Sequence, residues 1–129
     1  MGEKQSEKKP LGKKVWLIPD CDLPPEGEGV LKGHESVIVV NDADTAAEIR
    51  VDIYFTDDYL SGKILWNVPA KRVRCFRIND ASHMCGVRIP IATQYALKLT
   101  SDVPIVVQYG RLDNRQVNLA YYTVLPYCK

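Results

Sequence analysis

The stretch Glu48-Ile49-Arg50-Val51-Asp52-Ile53-Tyr54-Phe55 alternates side chains of two kinds. Apolar residues occupy every second position from Ile49 to Phe55, and charged residues or a tyrosine occupy the positions between them. Because successive side chains of a β-strand point to opposite faces, this period of two predicts a strand with one buried face.

Other segments of the chain carry the same signature, because they are rich in β-branched and aromatic residues. The pattern begins at Trp16 and recurs at 36–41, 63–68, 71–78, 95–100, 104–109 and 118–125. Short polar residues and glycines predict turns between them, at 41–44, 56–58, 61–62, 79–80 and 110–113. Seven to eight short strands without a βαβ alternation predict an all-β fold, an antiparallel β-sandwich or a barrel-like sheet.

The length and charge of the chain set further limits. It has 129 residues with 17 basic and 16 acidic side chains, which predicts one domain and excludes a strongly basic nucleic-acid binder. Residues 1–14 contain five lysines and two glutamates, or +3, so residues 15–129 carry −2. We therefore predict a disordered basic leader at 1–14 and a single domain at 15–129.

The sequence also bears on the compartment. No run approaches the roughly 20 apolar residues of a membrane span, and no apolar segment of a secretory signal follows the lysines. These features predict a cytoplasmic protein without membrane insertion. Four cysteines fit neither a C-x-x-C pair nor a zinc ribbon, so we expect reduced thiols.

No catalytic motif is present in its required context. The chain lacks a nucleophile elbow, a P-loop and a dinucleotide-binding glycine pattern. A zinc site from His34, Glu35, His83 and Cys85 is conceivable, but a His-x-Cys spacing alone does not bring these residues together. We therefore predict a protein that is not an enzyme and that has no metal or cofactor.

A basic stretch stands out within the domain. Lys71, Arg72, Arg74 and Arg77 lie in one predicted strand, with Arg72 and Arg74 on the same face as Phe76. Two interpretations remain open. The cations could contact a nucleic-acid backbone or an acidic partner, or they could guard the edge of a sheet against pairing.

The densest polar segment follows the apolar residues 104–107. It spans 108–116 and contains planar donors and acceptors, of which the candidate binding residues are Gln108, Arg111, Asp113, Arg115 and Gln116. Such groups at a rigid strand end suit recognition of carboxylates or hydroxyl-rich ligands, with Trp16 and Trp66 as candidate aromatic faces. An Arg111–Asp113 or Asp113–Arg115 ion pair that only holds the turn is an equally good interpretation.

Several motifs together resemble the soluble sensory rhodopsin transducer family, from about Trp16 to Tyr122. They are Trp16-Leu-Ile-Pro19, Leu23-Pro24-Pro25, His34-Glu35-Ser36, Val68-Pro69-Ala70, Arg77-x-Asn79-Asp80 and Val103-Pro-Ile-Val-Val-Gln108-x-x-Arg111-Leu-Asp113-x-Arg115-Gln116. The last motif is the most specific. The resemblance makes Trp16, His34, Glu35 and Asn79 candidate ligand or interface residues beside the polar segment.

The resemblance implies a small β-sandwich or jelly-roll-like subunit that forms a homotetramer, works in the cytoplasm and is not an enzyme. It also implies that the protein binds either a small polar ligand, such as a carbohydrate, or a signalling protein. The alternative function is DNA binding as a transcriptional regulator. The family's photoreceptor partner is not assumed here. The lysine-rich leader has no counterpart in the family pattern, and the end of the chain, 124–129, departs from the member that serves the photoreceptor.

Overall fold

Eight β-strands make up the regular structure of the computed structural model, which describes residues 9–129. They are β1 (Lys13–Asp22), β2 (His34–Asn41), β3 (Ala47–Phe55), β4 (Tyr59–Val68), β5 (Arg72–Arg77), β6 (Gln94–Asp113), β7 (Ala120–Val124) and β8 (Tyr127–Cys128). Every strand pair is antiparallel, and residues 9–129 contain no helix. The predicted all-β antiparallel fold is confirmed.

One long strand belongs to two hydrogen-bonded ladders. The first half of β6 pairs with β1 and β3, the β1 pairing reaching Ile105, and its second half pairs with β2 and β7. The strand order is therefore β4-β3-β6-β1-β8 in one part of the sheet and β5-β2-β6-β7 in the other. The two parts share β6, an arrangement consistent with a β-sandwich-like fold.

Strand β6 corrects two sequence predictions. Segments 95–100 and 104–109 are one strand of 20 residues, and the predicted turn at 110–113 is wrong because these residues continue it. Pro104 is compatible with this continuity. It lies between the residues that pair with β3 and those that pair with β2, and in the register shift of the β1 pairing between Thr100 and Ile105, so no regular ladder bond requires its missing N–H. The buried Gly110 and Leu112 extend the strand, and the chain turns only after Asp113.

Two irregularities lie inside strands, one of them where a turn was predicted. The predicted turn at 61–62 lies within β4, where Gly62 has φ 75° and the register with β3 shifts between Val51 and Ile53. Strand β1 continues past Pro19, again with a register shift, between Ile18 and Cys21. In both places a register shift accommodates residues that disfavour regular pairing.

The predicted leader falls mostly outside the described residues. Within residues 9–14, Lys13 and Lys14 already belong to β1, so the strand begins two residues before the predicted domain boundary. The Leu11 amide donates to Asp42 Oδ2 at 2.8 Å, which fixes the chain just before the strand.

The core lies between the inward faces of the two parts of the sheet. Ile49, Val51 and Ile53 are buried there, as the alternation in β3 predicts. Asp52, on the opposite face, is also buried. The Ser61 hydroxyl, which donates to it at 2.7 Å, and Arg50, 3.5 Å away, offset the cost of burying its carboxylate. A charged residue in an alternating pattern therefore does not guarantee an exposed side chain.

An aromatic stack joins β4 to β5 at one side of the core. The rings of Trp66 and Phe76 are parallel, with centroids 4.1 Å apart. The Trp66 indole N–H donates to the His83 carbonyl at 2.7 Å, and the His83 ring accepts the Arg77 backbone N–H at 2.8 Å. These contacts hold the turn 80–86 against the sheet and position the residues that follow it.

Candidate functional site

A buried carboxylate lies where the two parts of the sheet meet. Glu35, the second residue of β2, is completely buried. The Tyr95 hydroxyl donates to its Oε1, and the Tyr109 hydroxyl and the Asp22 amide donate to its Oε2, the amide at 3.1 Å. Because these donors come from β1 and from both halves of β6, one side chain connects three strands.

The surroundings of Glu35 alter its protonation and that of its neighbours. Burial raises the pKa of Glu35, and the hydrogen bonds from Tyr109, Tyr95 and Asp22 oppose that rise. Burial, followed by the nearby Glu35 carboxylate, raises the pKa of the Cys21 thiol. Cys21 is therefore a protonated, unreactive thiol at neutral pH.

Arg111 connects the buried cluster to the surface. Its Nε donates to the Tyr109 hydroxyl at 3.2 Å, and its Nη2 donates to the Asp20 carbonyl at 3.4 Å. The guanidinium also lies 5.1 Å from the centre of the Tyr122 ring, which is 41% exposed. Glu35 thus fixes Tyr109, and Tyr109 fixes the orientation of a cation stacked on an exposed aromatic ring.

Asp113 and Arg115 form a separate, local pair. The Arg115 Nε lies 3.0 and 2.9 Å from the two Asp113 carboxylate oxygens, and the Arg115 backbone amide donates to Oδ1 at 3.0 Å. The side-chain hydrogen bond from Arg115 and then the backbone one lower the pKa of Asp113. This is the ion pair within the turn that the sequence left as an alternative.

The remaining predicted residues of the polar segment do not join the Arg111 cluster. Gln108 is exposed and lies beside Ile38 of β2, on the face of the strand opposite to Tyr109. Gln116 is exposed in the turn between β6 and β7. Since alternate residues of β6 point to opposite faces, the strand separates side chains that a loop would have kept together.

The residues suggested by the resemblance lie in different places. His34 is half-buried, with Nδ1 2.8 Å from the Lys32 carbonyl. Asn79 lines a cleft of about 190 Å³ between the loop after β1 and the segment before β6. Trp16 is buried and donates its indole N–H to Lys13 and Ile105 carbonyls at 2.9 and 3.1 Å.

Trp16 and Trp66 do not provide aromatic faces beside the polar segment, contrary to expectation. Each is only 3% exposed, and each indole is occupied by core packing and a carbonyl acceptor. Tyr122 is instead the aromatic ring next to Arg111. A hairpin of β6 and β7 would have suggested this neighbour from the sequence, because Tyr122 pairs with Arg111 when the two strands lie side by side.

The basic stretch is divided by its own geometry. Lys71 lies 3.4 Å from Asp42 and 3.9 Å from Asp44, and its Nζ donates to the Asp42 carbonyl at 2.6 Å. Arg72 and Arg74 are exposed on the edge strand β5, and Arg77 is exposed on its other face. The four cations therefore do not form one continuous surface.

Asn114 belongs to the polar segment but was not among the candidate site residues. Its amide nitrogen donates to the carbonyls of Glu26 and Leu31, both at 2.7 Å, which ties the loop after β1 to the end of β6. A Cβ at Gly27 would lie 2.4 Å from the Asn114 side chain, so that glycine allows the close approach. No local sequence signal marks this contact, because it joins segments more than 80 residues apart.

Residues 9–129 contain no group of three or more His, Cys, Asp or Glu side chains placed to hold a metal ion. The four cysteines are free, with Cys75 and Cys85 exposed. Within the same residues no helix is long and apolar enough to cross a membrane.

Comparison with known proteins identifies related folds. The family model described as Anabaena sensory rhodopsin transducer matches residues 11–128. The crystal structure of Thermotoga maritima 1070 has a TM-score of 0.80 and 26% identity, covering 92% of this chain and 96% of the other. The Anabaena sensory rhodopsin transducer has a TM-score of 0.65 and 31% identity, covering 79% of this chain and 99% of the other. A comparison with curated proteins returns no significant match.

Proposed function

The chain belongs to the Anabaena sensory rhodopsin transducer family, and from that membership we propose that it is a non-enzymatic cytoplasmic signalling adaptor acting as a homotetramer. In this proposal the adaptor binds a small polar ligand, such as a carbohydrate, or a loop of a protein partner. The observation that carries the proposal is the surface formed by Arg111 and Tyr122 above the buried Glu35.

The chemistry of this surface supports ligand recognition. One edge of the Arg111 guanidinium is held by the Tyr109 hydroxyl and the Asp20 carbonyl, so its orientation is fixed before a ligand arrives. The Tyr122 ring offers an apolar face, and the guanidinium offers donors in a plane beside it. A hydroxyl-rich or carboxylate-bearing group can use both features at once.

Titration calorimetry against a panel of sugars and small carboxylates tests the ligand proposal. For a ligand that binds, Arg111→Ala is expected to weaken affinity by roughly tenfold or more, since hydrogen bonds to charged groups contribute about 1.5–3 kcal/mol. Arg115→Ala is the matched control, because that arginine pairs with Asp113 instead. Equal affinities in the wild type and in Arg111→Ala would remove this surface from consideration.

An exposed apolar sheet face supports the tetramer that family membership suggests. On the side of β2 and β5 away from the core, Ile38, Val40, Val73 and Cys75 adjoin one another, with Val40 41% and Val73 54% exposed. Such a face marks an interaction surface more often than a free one. Light scattering should give four times the 14.6 kDa chain mass, and Val73→Lys should reduce it, whereas Leu65→Lys on β4 should not. A monomeric wild type would refute the assembly.

The rhodopsin partnership of the Anabaena relative is not extended to this chain. The sequence of 124–129 is the part expected to differ from the family member that serves the photoreceptor. In the structure, Leu125 and Pro126 separate β7 from β8 in this segment. The partner of this adaptor is therefore proposed without reference to light.

DNA binding through Lys71, Arg72, Arg74 and Arg77 is the second candidate. Its support is the exposure of Arg72 and Arg74 on an edge strand, which four subunits would present repeatedly. Gel shifts across a salt series should then show a steep loss of affinity with salt, reduced in the Arg72→Ala, Arg74→Ala double variant. The engagement of Lys71 by Asp42 and Asp44 makes this candidate the weaker one.

A further inference from the structure

The cleft lined by Asn79 has an apolar floor and a charged rim. Leu23, Ile78 and Ile89 form its floor and are buried, with exposures of 4%, 1% and 6%. Glu26 and Arg88 stand at its rim and are exposed. The cleft lies in loop segments on either side of the sheet end, separate from the Arg111 and Tyr122 surface.

The charges at the rim are free to contact a ligand. Within residues 9–129 the side chains of Glu26 and Arg88 form no ion pair or hydrogen bond with the protein. By contrast, Asp113 is paired with Arg115 and Asp42 with Lys71. A cation and an anion placed around an apolar floor complement a molecule that carries both charges and an apolar group.

The backbone beneath the cleft is firmly held. The Ile78 amide donates to the Glu35 carbonyl at 3.1 Å, and the Ala92 amide donates to the Leu23 carbonyl at 3.0 Å. The Glu26 carbonyl accepts from the Gly33 amide at 2.8 Å and from the Asn114 side chain at 2.7 Å. Both walls are therefore ordered without a ligand, which lowers the entropic cost of binding.

We propose that this cleft binds a small zwitterion with an aliphatic side chain, of the aliphatic α-amino acid class. Its carboxylate pairs with Arg88, its ammonium group with Glu26, and its side chain covers Leu23, Ile78 and Ile89. The volume of about 190 Å³ lies below the roughly 300–1,000 Å³ of sites for drug-sized ligands, which favours a molecule of this size. The site is additional to the adaptor function and does not depend on it.

Titration calorimetry with three probes tests the assignment: L-leucine, 4-methylpentanoate, which lacks the ammonium group, and 3-methylbutylamine, which lacks the carboxylate. L-leucine is expected to bind, and each truncated probe to bind roughly twofold to fivefold more weakly, because each loses one ion pair with an exposed side chain. Arg88→Ala should bind L-leucine only as tightly as the wild type binds 3-methylbutylamine, because both pairs lack the contact between Arg88 and a carboxylate. Arg74→Ala, an equally exposed arginine outside the cleft, should leave it unchanged.

A second variant separates loss of the site from loss of the fold. Ala81→Leu places a larger apolar side chain in the cleft and leaves every charge intact, so it should also abolish L-leucine binding while the circular dichroism spectrum is retained. Three results would overturn the assignment. They are no heat of binding with millimolar L-leucine, equal affinity for all three probes, and affinity lost equally in Arg74→Ala.

Discussion

Glu35→Ala is expected to destabilise the domain strongly, because it removes the acceptor of two buried hydroxyl groups. The Tyr95 and Tyr109 hydroxyls each donate to the Glu35 carboxylate. Leaving a buried donor unsatisfied costs about 1–3 kcal/mol, so the two together cost about 2–6 kcal/mol. The Asp22 amide, which is only partly buried, can be hydrated and adds little. This loss is a large share of the roughly 5–15 kcal/mol that stabilises a typical domain.

Glu35→Gln separates the carboxylate's charge from its role as acceptor. Burial raises the pKa of Glu35 in the folded protein above its ordinary value of 4.5, so the folded state binds the proton more tightly than the unfolded chain does. This tighter proton binding adds to the free energy of unfolding. Its contribution is fully present below pH 4.5 and is lost as the pH rises through the pKa of Glu35 in the folded protein. The amide does not titrate. The wild type should therefore lose stability relative to Glu35→Gln with rising pH, by at most about 1.4 kcal/mol per pH unit.

Urea unfolding monitored by tryptophan fluorescence measures both effects, since both indoles are buried in the folded protein. Glu28→Ala and Glu28→Gln are the matched controls, because Glu28 is exposed in the loop after β1. A cost below about 1 kcal/mol for Glu35→Ala would show that the tyrosines find other partners, and would refute the unsatisfied-donor reasoning. A pH-independent difference between the wild type and Glu35→Gln would contradict the raised pKa.

Two further predictions concern the backbone and the thiols. Gly12→Ala should destabilise the protein by about 2 kcal/mol or more in urea unfolding, because its Cβ would lie 2.0 Å from the Ile105 carbonyl oxygen. Gly62→Ala is the control, because Gly62 has φ 75° but open space around the added Cβ, and it should cost only about 1–2 kcal/mol of unfolding free energy. If the two substitutions cost the same, the close approach to Ile105 is not what makes Gly12 necessary. With a thiol reagent under native conditions, exposed Cys85 should react fast and buried Cys21 only on unfolding, so rapid labelling of Cys21 would disprove its burial.

The strands of the fold could be predicted because each carries its own local pattern. The alternation in β3 is visible in eight consecutive residues, and its buried face is the one expected. The continuity of β6 could not be predicted, because glycine at 110 and proline at 104 resemble turn residues. Their place in a strand depends on neighbours that are distant in sequence, such as Ser36, which pairs with Gly110.

The candidate site was predictable only in part, for the same reason. Glu35 and Arg111 were both identified from the sequence, and the structure connects them through Tyr109. Tyr109 escaped notice because nothing in a local pattern distinguishes a tyrosine that donates to a buried acid from one that fills a core. Trp16 was overvalued because sequence composition does not distinguish a buried indole from an exposed one.

The shared strand has a mechanical consequence. Because β6 is a member of both ladders, the two parts of the sheet are joined by continuous covalent backbone in the middle of the domain as well as by side-chain contacts. They cannot slide past each other as two independent layers, and any relative movement has to bend the chain near 102–104, between the two ladders. Tyr95 and Arg111 therefore lie in one continuous strand on opposite sides of that bending point, so a bend there changes the position of one relative to the other.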